Sequence, residues 1–150
     1  MIKKISISIL VVLIIIFITG CINNKTNNIK KENKITNGEI STMKIIINNE
    51  EYIVNLENNK TVQELVKILP NKLQMNELNG NEKYAYLEKS LPTDSSVPKE
   101  INKGDIMLFG NDCLVIFYKS FDTTYSYTKI GHIDNLPDLG NNSIEVEFII

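Results

Sequence analysis

From Met43 to Ile150, short apolar segments alternate with turn signals, and this pattern restricts the fold more than any other feature of the sequence. The segments have the length of β-strands, and most carry apolar residues at every second position, as expected for strands with one buried face. Asn48-Asn49 and Asn79-Gly80 separate neighbouring segments and are typical of tight hairpin turns. Eight strands are predicted, at residues 43–47, 52–56, 73–78, 83–87, 106–109, 113–118, 125–134 and 144–150.

One segment has helical periodicity instead. Thr61 and Glu64 stand in the relation of a capping box, in which a hydroxyl and a carboxylate satisfy backbone donors at the first helical turn. Pro70 ends the pattern, so a helix of about nine residues is expected. Its apolar face consists of Val62, Leu65, Val66 and Leu69. Eight short strands and a single helix predict a mainly β protein, a closed barrel with one capping α-helix, because closure removes exposed strand edges.

Residues 104–134 contain the most apolar part of this domain. In the segment 113–118 we expect Phe117 to face the barrel interior together with Cys113 and Val115. Leu114, Ile116 and Tyr118 would then lie on the opposite face. Cys113 is interpreted as a small buried hydrophobe and not as half of a disulfide with Cys21.

Four segments of the sequence resemble a known family. They are LNGNEKYAYL at 78–87, LPTDSSVP at 91–98, GDIMLFGNDCLVIFYKSF at 104–121 and SYTKIGHID at 126–134. In order and spacing they are similar to small bacterial and archaeal proteins described as cyclophilin-like, and the resemblance covers nearly all of residues 43–148. It implies a cyclophilin-type closed barrel, in agreement with the strand pattern.

The resemblance does not bring an enzymatic activity with it. True cyclophilins are peptidyl-prolyl isomerases that use an arginine beside an apolar pocket. This chain has 16 lysines and no arginine, and lysine lacks the planar fork of a guanidinium group. Since fold alone does not establish function, prolyl isomerase activity is disfavoured but left open.

The N-terminal segment predicts where the protein is located. Lys3 and Lys4 precede an apolar run at residues 5–18, which is shorter than the ~20 residues needed to span a bilayer. The sequence Ile-Thr-Gly-Cys at 18–21 resembles the lipobox of prokaryotic lipoproteins, in which the cysteine is acylated and becomes the mature N-terminus. We therefore expect a lipoprotein signal peptide at 1–20 and a lipid on Cys21 that holds the protein at the extracytoplasmic face of the cell membrane. The alternative is a hydrophobic anchor in which the cysteine is incidental.

Residues 21–42 are predicted to be a flexible tether. Six asparagines and only four isoleucines occur between positions 22 and 42, without periodicity. Such a segment buries too little apolar surface to offset the entropy of ordering. The folded domain is accordingly placed at 43–150.

Charge and composition exclude some functions. From Met43 onward there are 10 lysines and 16 acidic residues, about six net negative charges. Nucleic-acid binding requires concentrated positive charge, so that class is set aside. No cofactor is expected, and no metal site, because the single histidine, His132, has no cysteine or carboxylate cluster at ligand spacing.

The candidate binding residues lie in a ribbon of hydroxyl and aromatic side chains that begins at Ser120 and leads to His132. Tyrosine and phenylalanine offer contact area at a low cost in entropy, and tyrosine adds a polar tip. No catalytic residue is assigned, since Ser120, Asp122 and His132 lack the flanking sequence of a nucleophilic triad. The predicted binding residues are Ser120, Phe121, Thr123, Tyr125, Tyr127 and His132.

Together these features predict a lipid-anchored binding module for a peptide or a small molecule. A prolyl isomerase-like enzyme and a structural component of a cell-surface assembly are the alternatives.

Overall fold

The computed structural model of the protein describes residues 35–36 and 39–150, which form ten strands and one helix. The helix is α1 (Lys60–Ile68). The strands are β1 (Ile35–Thr36), β2 (Glu39–Ile40), β3 (Thr42–Ile47), β4 (Glu50–Leu56), β5 (Lys72–Leu78), β6 (Glu82–Tyr86), β7 (Asp105–Phe109), β8 (Cys113–Phe117), β9 (Tyr127–Ile133) and β10 (Ile144–Ile149).

Strands β3 to β10 close into a barrel. The order around it is β10, β3, β4, β9, β7, β8, β6 and β5, and β5 pairs with β10 to complete the ring. All neighbouring strands are antiparallel. The predicted fold class, a mainly β closed barrel of eight strands with one helix, is confirmed, and every predicted strand is present with its ends shifted by no more than two residues.

The two predicted tight turns are also confirmed. Asn48 and Asn49 connect β3 to β4 with φ of 52° and 65°, and Asn79 and Gly80, with φ of 57° and 70°, lie with Asn81 in the connection between β5 and β6. Two consecutive positive φ angles match the right-handed twist of the flanking strands. Asparagine tolerates this conformation better than most side chains do, because its short amide bonds locally.

The barrel interior is filled by one cluster of buried side chains to which all eight barrel strands contribute. Burial of each large aliphatic side chain in this cluster contributes about 1.5–3 kcal/mol to the stability of the fold. The helix packs on the same cluster through Val62 and Leu65. Alternation along β3 and β10 supplies Met43, Ile45, Ile47, Ile144, Val146 and Phe148.

The start of the helix differs from the prediction. The N-cap is Asn59, whose Oδ1 accepts a hydrogen bond from the backbone N–H of Val62 at 2.9 Å. Thr61 lies inside the helix, and its hydroxyl donates to the carbonyl oxygen of Pro92 at 2.7 Å. The capping box of Thr61 and Glu64 was therefore wrong. The predicted length of about nine residues and the end before Pro70 are confirmed.

The assignment of faces in β8 was also wrong. Leu114 and Ile116, with Tyr118 just beyond the strand, belong to the interior cluster. The alternate side chains of Cys113, Val115 and Phe117 pack outside the barrel wall, in a second cluster with Ile101, Met107 and Tyr127. All five residues of β8 are buried, so hydrophobicity alone cannot distinguish its two faces.

The end of the predicted tether contains paired backbone. β1 and β2 form a short antiparallel ladder, and the backbone N–H of Leu56 donates to the carbonyl of Ser41 at 2.9 Å. The predicted signal peptide and Cys21 lie outside the described residues. Within the described part of the chain, no helix is long and apolar enough to cross a membrane.

Candidate functional site

A cleft of about 600 Å³ lies on the outer wall of the barrel, above the second cluster of buried side chains. Its floor includes Cys113 and Val115 of β8 and Tyr127 of β9. The turn between β5 and β6 forms one side, and residues 121–125 form another. The lining residues are Leu78, Asn79, Asn81, Glu82, Tyr84, Tyr86, Phe109, Cys113, Val115, Phe121, Asp122, Thr123, Thr124, Tyr125 and Tyr127.

Backbone hydrogen bonds hold the segment 121–127 in place. Phe121 and Ile101 exchange two such bonds, at 3.0 and 3.1 Å, and Tyr127 and Ser96 exchange another pair, both at 3.0 Å. The backbone N–H of Tyr125 donates to the hydroxyl of Thr123 at 3.1 Å. The loop between β6 and β7 thus braces the segment from behind.

Aromatic rings dominate the walls of the cleft. The rings of Tyr84 and Tyr86 are 6.1 Å apart at an angle of 83°, and those of Phe109 and Tyr125 are 6.0 Å apart at 89°. Phe109 also contacts Tyr127, at a centroid distance of 5.5 Å. These are the favoured edge-to-face and tilted arrangements of aromatic pairs. The walls are consequently braced ring against ring.

The rim of the cleft exposes apolar surface to solvent. Tyr86 is 67% exposed and Tyr125 is 63% exposed, and Leu78 and Phe109 are exposed as well. These four account for most of the seven large hydrophobic residues that are exposed in the described part of the chain. A concentration of exposed apolar side chains around a cavity is typical of an interaction site.

The ionisable groups of the cleft are acidic or neutral. Glu82 is half-buried, and its pKa is raised by desolvation first and by the nearby carboxylate of Glu77 second. Asp122 contributes a second carboxylate from an exposed position. None of the fifteen lining residues is a lysine or a histidine.

Cys113 is buried in the cleft floor. Desolvation, with smaller contributions from the negative charges of Asp112 and Glu82, raises the pKa of its thiol to about 11. Desolvation first, and the negative charge of Glu82 second, also raise the pKa of Tyr127. At neutral pH Cys113 is therefore a protonated thiol and not the thiolate that nucleophilic catalysis requires.

Asn81 lines the cleft and carries a buried acceptor without a partner in the described part of the chain. Its side-chain Oδ1 is buried and receives no hydrogen bond from any described residue. A buried carbonyl oxygen without a donor costs on the order of 1–3 kcal/mol.

Four of the six predicted binding residues lie together in this cleft: Phe121, Thr123, Tyr125 and Tyr127. The other two do not line it. The hydroxyl of Ser120 accepts a hydrogen bond from the backbone N–H of Lys103 at 2.9 Å, which fixes the start of the segment.

His132 lies elsewhere on the barrel surface. Its Nδ1 is 2.9 Å from Oδ1 of Asp105, and its Nε2 is 3.7 Å from Oδ1 of Asp134. Ser120, Asp122 and His132 each have different surroundings, so the structure does not assemble them into a triad. Among the described residues, no group of three or more potential ligands could hold a metal ion.

The sequence reasoning missed the half of the cleft formed by β5, β6 and β7. Tyr84 and Tyr86 were recognised as sharing one face, which the structure confirms. Their place opposite residues 121–125 depends on β6 pairing with β8, a non-consecutive strand. Alternation within one strand carries no information about such a neighbour. Glu82 and Asn81 gave no signal beyond their position beside a turn.

The cleft places ring surfaces, threonine hydroxyls and two carboxylates around one volume. Comparison with models of protein families finds that residues 45–148 match the cyclophilin-like family. No match was found among curated proteins or among solved structures.

Proposed function

The chain belongs to the cyclophilin-like family, and from this premise we propose that its barrel is a binding module for a peptide or a small molecule. The ligand would occupy the aromatic cleft. The observation that supports this most strongly is the exposed aromatic rim around a cavity of about 600 Å³, the size of typical ligand sites.

The rim would bind through Tyr125 and Tyr86, whose exposed rings have the most apolar surface to bury on contact with a ligand. Aromatic side chains have few rotatable bonds, so they lose little entropy on binding. The braced position of the segment 121–127 means that part of the site is formed before a ligand arrives.

A thermal-stability screen of peptides and metabolites tests the proposal. Ligands that raise the melting temperature of the wild-type protein should lose most of that effect in Tyr125→Ala. Val97→Ala removes exposed apolar surface outside the cleft and should leave the effect intact. If no compound shifts the melting temperature, or if Tyr125→Ala leaves every shift unchanged, the cleft is not the binding site.

We also propose that the module is held on the extracytoplasmic face of the cell membrane by lipid on Cys21. The support is the sequence: two lysines, an apolar run too short to span, and the lipobox-like Ile-Thr-Gly-Cys at 18–21. A lipid with two acyl chains on Cys21 would hold the protein stably at the membrane, whereas a single chain gives only marginal binding.

Cell fractionation tests the anchor. Cys21→Ser should move the protein from the membrane fraction to the soluble fraction, whereas Cys113→Ser should not. Retention of Cys21→Ser in the membrane would favour a hydrophobic anchor.

The second candidate function is prolyl isomerisation, favoured by the family and by the apolar cleft. Against it, the chain contains no arginine, the residue that true cyclophilins use. A proline isomerisation assay on the purified protein decides between the two. A rate enhancement that disappears in Tyr125→Ala would establish an enzyme and overturn the binding-only interpretation.

A further inference from the structure

We infer that the cleft selects an organic cation, a primary or quaternary ammonium group carried on an apolar stem. This inference rests on the proposed binding function and adds the chemical class of the ligand.

The ring walls are the first part of the argument. The face of an aromatic ring carries partial negative charge and attracts a cation within about 6 Å of its centre. Tyr84 and Tyr86 form one corner of nearly perpendicular rings, and Phe109 and Tyr125 form another. Corners of this kind are what recognition sites for ammonium groups provide.

The carboxylates are the second part. Glu82 and Asp122 both line the cleft, from the β6 side and from the segment 121–125. The charge of Glu82 reaches the cleft floor, since it contributes to the raised pKa values of Cys113 and Tyr127. An anionic ligand would face these groups without any lysine or histidine in the lining to compensate.

The nearest lysines in sequence are engaged elsewhere. Lys83 follows Glu82, but its side chain is fully buried and its ammonium donates to the carbonyl oxygens of Gly140 and Asn142 at 2.5 and 2.8 Å. Lys119 lies 3.6 Å from the carboxylate of Asp138. Among the described residues, neither Glu82 nor Asp122 forms an ion pair, so the negative charge of the cleft is left for a ligand.

A matched series of probes tests the charge requirement. We would titrate the full chain by calorimetry with 4-phenylbutylamine, its trimethylammonium analogue, 4-phenylbutanol and 4-phenylbutanoate, which share one apolar stem. The two cations should bind at least tenfold more tightly than the alcohol, and the carboxylate should bind most weakly. Glu82→Gln should weaken binding of the amine by roughly tenfold, as expected for loss of a charge-assisted contact.

Two controls accompany this series. Glu57→Gln removes the same charge from an exposed position outside the cleft and should leave the affinity unchanged. If Glu82→Gln fails to fold, the exposed Asp122→Asn replaces it, with a smaller expected loss.

Two short peptides, identical except that one carries lysine where the other carries norleucine, distinguish the possible sources of the cation. Tighter binding of the lysine peptide than of both the norleucine peptide and the free amine identifies a protein side chain as the ligand. Tighter binding of the free amine than of the lysine peptide identifies a small molecule. Equal or tighter binding of the alcohol or the carboxylate would overturn the cation inference while leaving the proposed binding function standing. If none of the probes binds at millimolar concentration, the cation inference fails, and the binding function is then decided by the thermal-stability screen.

Discussion

Cys113 illustrates how far surroundings determine the chemistry of one residue. The free thiol lies in the cleft floor, where a reactive cysteine would be well placed to act on a ligand. Burial and two neighbouring carboxylates raise its pKa from 9.0 to about 11. It therefore contributes apolar surface to the cleft instead of a nucleophile.

This shift predicts a characteristic pH profile for alkylation. Because the folded-state pKa is raised, the thiolate fraction should keep increasing between pH 9 and pH 11, and the rate with iodoacetamide should rise with it. The measurement uses Cys21→Ser, which leaves Cys113 as the single thiol. A rate that levels off near pH 9 would mean that the thiol is not desolvated.

Among the described glycines, Gly104 is the most crowded. It has φ of +99°, and a Cβ atom there would lie 2.2 Å from the carbonyl oxygen of Ile133 and 3.0 Å from Cε1 of His132. The backbone N–H of Gly104 donates to the carbonyl oxygen of Phe117, and its carbonyl oxygen accepts from the N–H of Ile133. Gly104 therefore cannot move away without losing these hydrogen bonds.

Substitution by alanine separates crowding from backbone strain. Gly104→Ala should lower the free energy of unfolding by about 3 kcal/mol or more, since strain and a clash act together. Gly110→Ala is the control: its φ is +60° and nothing lies within 4 Å of the added carbon, so roughly 1 kcal/mol is expected. Equal losses in a denaturant titration would show that Gly104 is not crowded.

At the scale of elements, the start of the helix shows why a sequence motif can mislead. Thr61 and Glu64 have the spacing of a capping box, but Asn59 takes the capping position two residues earlier. Its Nδ2 also donates to the carbonyl of Lys129 at 2.8 Å, which joins the helix to β9. That second bond depends on tertiary structure and leaves no trace in local sequence.

Mutations of the two candidate caps distinguish the interpretations. Asn59→Ala should cost about 1–2 kcal/mol of stability, because it removes the cap and the bond to β9. Glu64→Ala should cost less than about 0.5 kcal/mol, since Glu64 only forms an exposed pair with Lys67 at 2.9 Å. A larger loss in Glu64→Ala than in Asn59→Ala would restore the capping box.

Strands with one polar face could be predicted from the sequence, and strands buried on both faces could be located but not oriented. In β10 the glutamates mark the solvent side. In β8 every residue is buried, because the loop before β7 and the segment after β8 cover its outer face. The reversed assignment of Phe117 and Tyr118 follows from that cover.

At the scale of the whole molecule, the barrel itself was predictable because strand number, turn positions and the single helix agreed with one another. The cleft was predictable only in part. Phe121 to Tyr127 are contiguous in sequence and were recognised, whereas Glu82, Asn81 and Phe109 reach the site through the pairing of non-consecutive strands. His132 was included because it follows the ribbon in sequence, but it lies against Asp105.

The central claim is that the aromatic cleft is the ligand site of this domain. Its most direct test is a titration of isotope-labelled protein with 4-phenylbutylamine, followed by backbone amide NMR. We predict that the shifted resonances cluster at residues 78–86, at Cys113 and at residues 121–127, while those of Asp105 and His132 stay in place. Shifts centred on Asp105 and His132, or scattered over the barrel, would contradict the claim.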